Sequence, residues 1–136
     1  MRPRSVVAIA LLTGLWSSCL DAAAVDPMAV AEERAELAER IDFWPGFDPL
    51  SVPLVLYDGE STYLFAHPSP PPAFKPHPSH EEVWVMAGRH PQIVANYAVD
   101  IGDTVAAVVM LKEDSVSTVR EEAAIVLHEC FHAFQR

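Results

Sequence analysis

Hydrophobic spacing changes character twice along the chain, from helical to alternating and back to helical. Asp26-Pro27 reads as an N-cap followed by proline at the first helical position. From Met28 to about Ile41, Val30, Leu37 and Ile41 recur on one side, while Glu32, Glu33, Glu36, Glu39 and Arg40 cover the other. Glu36 and Arg40 make a favourable i,i+4 pair, and the helix is expected to stop before Pro45-Gly46. An acidic amphipathic helix of this kind is read as a structural brace.

The middle of the chain reads as β-structure. Residues 51–57 and 60–65 form a predicted hairpin around Asp58-Gly59, which supplies the positive φ angles of a tight turn. Pro53 lacks an N–H donor, which pushes the first of these strands toward a sheet edge. Residues 66–82 contain Pro68, Pro70, Pro71, Pro72, Pro76 and Pro78 and exclude helix and central strand, leaving an extended surface loop. His67, His77 and His80 fall in that loop and are read as exposed rather than as a second metal site. Strands are expected again at 83–87 and 93–100, with a turn at Gly88-Arg89-His90-Pro91 between them. Gly102-Asp103 then turns into 104–111, a run rich in Val, Ala and Met that suits a buried strand. The polar residues 112–115 close the β region.

Helical spacing returns at the end. Thr118 followed by Glu121 is a capping-box signature, and neither proline nor glycine interrupts the chain from there to Arg136. Steps of roughly 100° per residue place His128, Glu129 and His132 within one arc, with Ile125 and Glu121 beneath them. Val119, Ala123, Val126, Leu127, Cys130 and Phe134 fall on the opposite, apolar side, so Cys130 is read as packing. The fold class is therefore α+β: a helix, an antiparallel or mixed sheet of hairpins, and a final helix.

Composition narrows the partners. The 136 residues support a single domain with a core, and the net charge of −10 argues against nucleic acid or an anionic membrane surface as partner. Arg2 and Arg4 precede an apolar run from Val6 to Trp16 that is too short to span a bilayer comfortably, and Ala22-Ala23-Ala24 offers a small-residue cleavage site. Residues 1–24 thus read as a signal peptide, and the mature chain as secreted or periplasmic with no transmembrane helix. In a second reading Trp16-Ser17-Ser18-Cys19 resembles a bacterial lipobox, with Cys19 as a lipid anchor. Either way Cys130 has no disulfide partner.

The chemistry is concentrated in His128-Glu129-Cys130-Phe131-His132. Histidines four apart on a helix lie one turn above each other, so both imidazoles can reach one Zn2+ ion and fix half of a tetrahedral site. Zinc lowers the pKa of bound water to about 7. A carboxylate between the histidines can take that proton and pass it to a leaving amine.

The segment from Ile125 to Ala133, apolar lead-in included, resembles the active-site helix of the zincin metallopeptidases. The resemblance implies a sheet preceding a zincin-type active-site helix, His128 and His132 as zinc ligands, Glu129 as general base, and a peptide or protein substrate. The substrate would lie along an edge formed by the last strand before the helix or by its neighbour. The metzincin extension requires Gly three residues after the second histidine, where this chain has Gln135; the remaining resemblance is gluzincin-like, with a Glu or Asp on a later helix as third ligand. On that view residues 25–136 are the amino-terminal part of a zincin-like domain. An upstream histidine such as His67 or His90 is the alternative third ligand. Two readings from other classes are a non-catalytic exported binding domain and a lipid-anchored envelope protein.

Overall fold

Asp26 caps the first helix by accepting a hydrogen bond from the Met28 N–H at 3.1 Å, and Pro27 occupies a position whose N–H a helix does not need. The computed structural model describes residues 25–111 and 117–136; the signal segment, Cys19 and the polar stretch 112–115 lie outside the described residues. Helix α1 (Pro27–Arg40) buries Val30, Arg34 and Leu37. The predicted Glu36–Arg40 pair forms at 3.2 Å. Ile41 departs from the expected apolar stripe. It is the C-cap, with extended backbone, and its side chain turns outward.

Six strands follow: β1 (Leu54–Tyr57), β2 (Ser61–Phe65), β3 (Lys75–Pro76), β4 (Val83–Ala87), β5 (Tyr97–Ile101) and β6 (Thr104–Met110). They form one sheet in the order β3-β4-β2-β1-β6-β5. The β1–β6 pair is parallel, from Leu54↔Ala107 to Tyr57↔Met110, and every other pair is antiparallel. With α2 (Val119–Phe134) last, the architecture of the described residues is α+β with two helices and a mixed sheet. No helix among the described residues is long and apolar enough to cross a membrane.

The β1–β2 hairpin forms where Asp58-Gly59 predicts it. Gly59 has φ +101°, and the Asp58 carboxylate accepts from the N–H groups of Glu60 and Ser61. The edge position inferred from Pro53 is overturned, because β1 is an interior strand. Pro53 stands just before the first ladder residue, where its missing N–H removes nothing and its carbonyl still accepts from Ala107 N at 2.8 Å. The strand predicted at 93–100 begins only at Tyr97. Upstream of it Ile93 donates its N–H to the His90 carbonyl and buries its side chain under the sheet. The proline-rich segment is largely loop, as its composition requires, but Lys75–Pro76 pairs with β4 at the sheet edge. His67 in that segment is buried rather than exposed. Its Nε2 donates to the Ile101 carbonyl at 2.8 Å, while Nδ1 accepts from the Ser69 N–H at 3.1 Å.

Alternation along the strands separates two apolar layers. Leu54, Leu56, Phe65, Ala107 and Val109 face the helices, meeting Val30 and Leu37 of α1 and Val126 and Cys130 of α2. Val55, Leu64, Val99, Ala106 and Val108 face the other way, under Phe74 of the proline-rich loop and Ile93. Both faces of β6 are therefore covered, which accounts for its almost unbroken apolar run. Replacing the fully buried Leu56 by Ala is expected to lower the unfolding free energy by about 2–5 kcal/mol. Val94→Ala, at a side chain 73% exposed, is expected to change it by less than about 0.5 kcal/mol; urea midpoints at constant m distinguish the two.

Candidate metal centre

Helix α2 starts at a complete capping box. Thr118 Oγ1 accepts from the Glu121 N–H at 3.2 Å, and Glu121 Oε2 accepts from the Thr118 N–H at 2.7 Å. The Thr118 hydrogen bonds hold the Glu121 carboxyl below the usual carboxylate range. The buried stripe is Glu122, Ala123, Val126, Leu127, Glu129, Cys130 and Ala133, and it packs on α1, β6 and β5. The helix ends at Phe134 with Gln135 as C-cap. Phe134, assigned to the apolar back from its spacing, is 43% exposed. Lying in the last turn, its ring rests on Phe47, with centroids 5.2 Å apart, and on Phe131 at 6.2 Å.

His128 and His132 are both exposed and meet one turn apart. Their Nε2 atoms are 3.0 Å apart, and the rings are edge to face with centroids 4.5 Å apart. Glu129 does not project beside them into solvent. It is 9% exposed, on the margin of the buried stripe, because one residue's rotation carries it from the imidazole face toward the core. Its carboxylate makes no hydrogen bond or ion pair with another described residue.

The histidine pair fits half of a zinc site. Zn–N bonds of about 2.0–2.1 Å at a tetrahedral angle put two nitrogens about 3.3 Å apart, so small ring rotations suffice. Beyond the pair the fit stops: no group of three or more His, Cys, Asp or Glu among the described residues could hold a metal. Both ring nitrogens of His67 are already engaged. His90 stacks on Phe74 and accepts from the Gln92 N–H through Nδ1, and burial lowers its pKa. His77 and His80 have their rings 4.8 Å apart but form no such group either. Cys130 is buried, as expected for packing, and burial pushes its thiol pKa up against the opposing pull of Arg34.

Two features around the centre escape the sequence reading. Arg34 is 5% exposed behind α2. Its Nη1 donates to the Val52 carbonyl at 3.4 Å and faces Cys130 Sγ at 3.9 Å, while its Nε has no partner among the described residues. The signal was available, since position 34 is four after Val30 and three before Leu37 on the same helical stripe. The second is an apolar groove of about 640 Å³ between α2, the end of α1 and residues 41–47, with His128 on its wall. Aromatic side chains at Phe43, Trp44 and Phe47 were its only trace in the sequence.

Strand β5 is the sheet edge on the side of α2, and β6 is interior, so of the two candidate edge strands the neighbour holds that position. The Arg136 guanidinium donates to the Ala98 carbonyl of β5 at 2.9 Å and lies 4.0 Å from the Asp100 carboxylate. Comparison with protein-family models, curated proteins and solved structures finds no match to this chain.

The capping box gives a pH signature. A carboxyl whose pKa is depressed on folding contributes stability above its unfolded value, and this is lost as pH falls through the folded value. Thr118→Ala is expected to cost about 0.5–2 kcal/mol at pH 7 through loss of the N-cap. The acid-side decline contributed by Glu121 should shrink only in part in the same variant, because the backbone N–H of residue 118, the larger cause of the depression, is kept; urea melts at stepped pH below neutrality read both effects.

Proposed function

We propose that this chain carries part of the active site of a zinc-dependent peptidase, with a third protein ligand contributed by residues other than those described. The observation that supports the reading is the approach of two imidazole Nε2 atoms to 3.0 Å on adjacent turns of a capped helix, with a carboxylate next in sequence to the first. His128 and His132 would hold the metal through Nε2. Zinc, when bound, supplies Lewis acidity that polarises a scissile carbonyl and makes water a competent nucleophile near neutral pH.

The remaining chemistry belongs to the chain. Glu129, at the rim of the core next to the imidazole face, would be the group to take a proton from the attacking water and return it to the leaving amine nitrogen. The apolar stripe of α2, seated on the sheet and α1, holds the backbone that carries all three side chains. Strand β5 offers the edge along which an extended peptide can add by main-chain hydrogen bonds. The same reading has residues 1–24 act as an export signal, or Cys19 carry a lipid, so that the mature chain works outside the cytoplasm. It is zincin-like in its motif and gluzincin-like in lacking the metzincin glycine.

The test is metal uptake followed by turnover in the full chain. After dialysis against micromolar zinc, wild type and Glu129→Gln should retain the metal, and His128→Ala and His132→Ala should lose it. Chelator-sensitive hydrolysis of a fluorogenic casein digest, however slow, should fall by about 10²-fold or more in Glu129→Gln. A wild type that holds no more zinc than the histidine variants would leave a non-catalytic exported binding domain.

A further inference from the structure

We infer that the loop cover on the sheet face opposite the helices is an acid-sensitive device, held shut by three turns that form only while their histidines are neutral. It is independent of the His128/His132 pair and of any metal. That face of the sheet is covered by loop rather than helix, with Phe74 and Ile93 seated against Val55, Leu64 and Val108. Three of the six histidines in the chain, His67, His77 and His90, are followed by proline. In each of the three, the imidazole Nδ1 accepts the N–H two residues on: from Ser69 at 3.1 Å, from Ser79 at 3.1 Å and from Gln92 at 3.2 Å. The arrangement is an Asx-type turn with an imidazole as acceptor, and the intervening proline fixes the backbone between the two groups. These turns stand where the cover is tied down. His67 opens the proline-rich loop that carries Phe74, His77 follows β3 at its far end, and His90 opens the turn that seats Ile93.

A ring nitrogen that accepts a hydrogen bond carries no proton, so each neutral ring holds its hydrogen on Nε2. At His67, which is buried, that Nε2–H donates to the Ile101 carbonyl at 2.8 Å and ties the loop to the end of β5. His90 stacks on Phe74 with centroids 5.8 Å apart, and burial lowers its pKa. Protonation places a hydrogen on Nδ1 that points at another N–H, so attraction becomes repulsion and the turn must open. The shut cover therefore binds fewer protons than the open one; it is favoured at neutral pH and lost as pH falls. Histidine is the side chain whose ordinary charge change lies between pH 5 and 8.

The surrounding charges bear on the three rings unequally. Glu81 and Glu82 line the same cavity as His67 and His77, and Asp100 and Asp103 bracket Ile101 in the chain. All four carboxylates are exposed and favour the charged imidazole, which assists opening. His80, whose ring is 4.8 Å from that of His77, and the exposed Arg89 beside His90 act in the opposite sense. Tyr63 lies against His77 at 6.3 Å, and Lys75 is turned to the Pro72 carbonyl.

The test uses the full chain and nuclear magnetic resonance. At pH 7.5, long-range ¹H–¹⁵N correlations should find His67, His77 and His90 in the Nε2–H tautomer. Between pH 7 and 5, hydrogen-exchange protection of the Phe74 and Ile93 amides should fall by about tenfold per pH unit for each proton taken up on opening. Protection along α2 should hold over the same range. Asparagine keeps an acceptor for the N–H two residues on and does not titrate, so the His67→Asn/His77→Asn/His90→Asn variant should flatten the slope whatever its absolute protection. His80→Asn should leave the slope unchanged. An Nδ1–H tautomer at His67 and His90 in the wild type overturns the proposal without recourse to any variant. So does a slope that survives the triple substitution, or loss of α2 protection in step with the cover, which is general acid unfolding.

Discussion

Parallel pairing between β1 and β6 is the constraint on which the rest of the structure depends. Without it the sheet would divide into two antiparallel units, β1–β2–β4–β3 and β5–β6, the second of them a two-stranded hairpin of marginal stability by itself. The four-residue register from Leu54↔Ala107 to Tyr57↔Met110 joins them and brings residues some fifty positions apart in sequence into one layer. Both helices then lie over this seam, with Leu54, Leu56, Ala107 and Val109 beneath them. The position of α2, and with it the histidine pair, follows from a contact between strands that carry none of the site's chemistry.

Features set by a few neighbouring residues were legible in the sequence. Asp26-Pro27, the Asp58-Gly59 and Gly102-Asp103 turns, the Thr118/Glu121 capping box and the burial of Cys130 all appear where local stereochemistry puts them. What depended on distant partners was not legible. Pro53 looked like an edge signal because a missing N–H matters only if the neighbouring strand needs it, and here Ala107 uses the carbonyl instead. His67 looked exposed because its acceptor, the Ile101 carbonyl, lies 34 residues away. Ile93 looked like strand because an apolar residue buried from a turn has the same hydropathy as one buried from a ladder.

The candidate centre divides along the same line. Spacing alone was sufficient to bring His128 and His132 together, since i,i+4 geometry belongs to the helix. The placement of Glu129 was not, because its exposure depends on how far the sheet and α1 wrap around α2. The arrangement gives the three residues different surroundings: two imidazoles in water and one carboxylate at the rim of the core. Directly behind them, Arg34 and Cys130 form a polar contact inside the apolar layer. A guanidinium whose Nε finds no acceptor among the described residues is a poor source of stability.

The bond from Arg136 to the Ala98 carbonyl has a consequence for how this sheet meets other chains. An outermost strand is a template that any extended backbone can copy, including the same strand of a neighbouring molecule. Here one rung of the template is occupied by a cationic side chain, and the adjacent Asp100 keeps that side chain nearby. Joining β5 therefore means displacing a guanidinium first. A visitor able to give Arg136 another acceptor, such as a carboxylate, would be admitted more readily than one that brings only backbone.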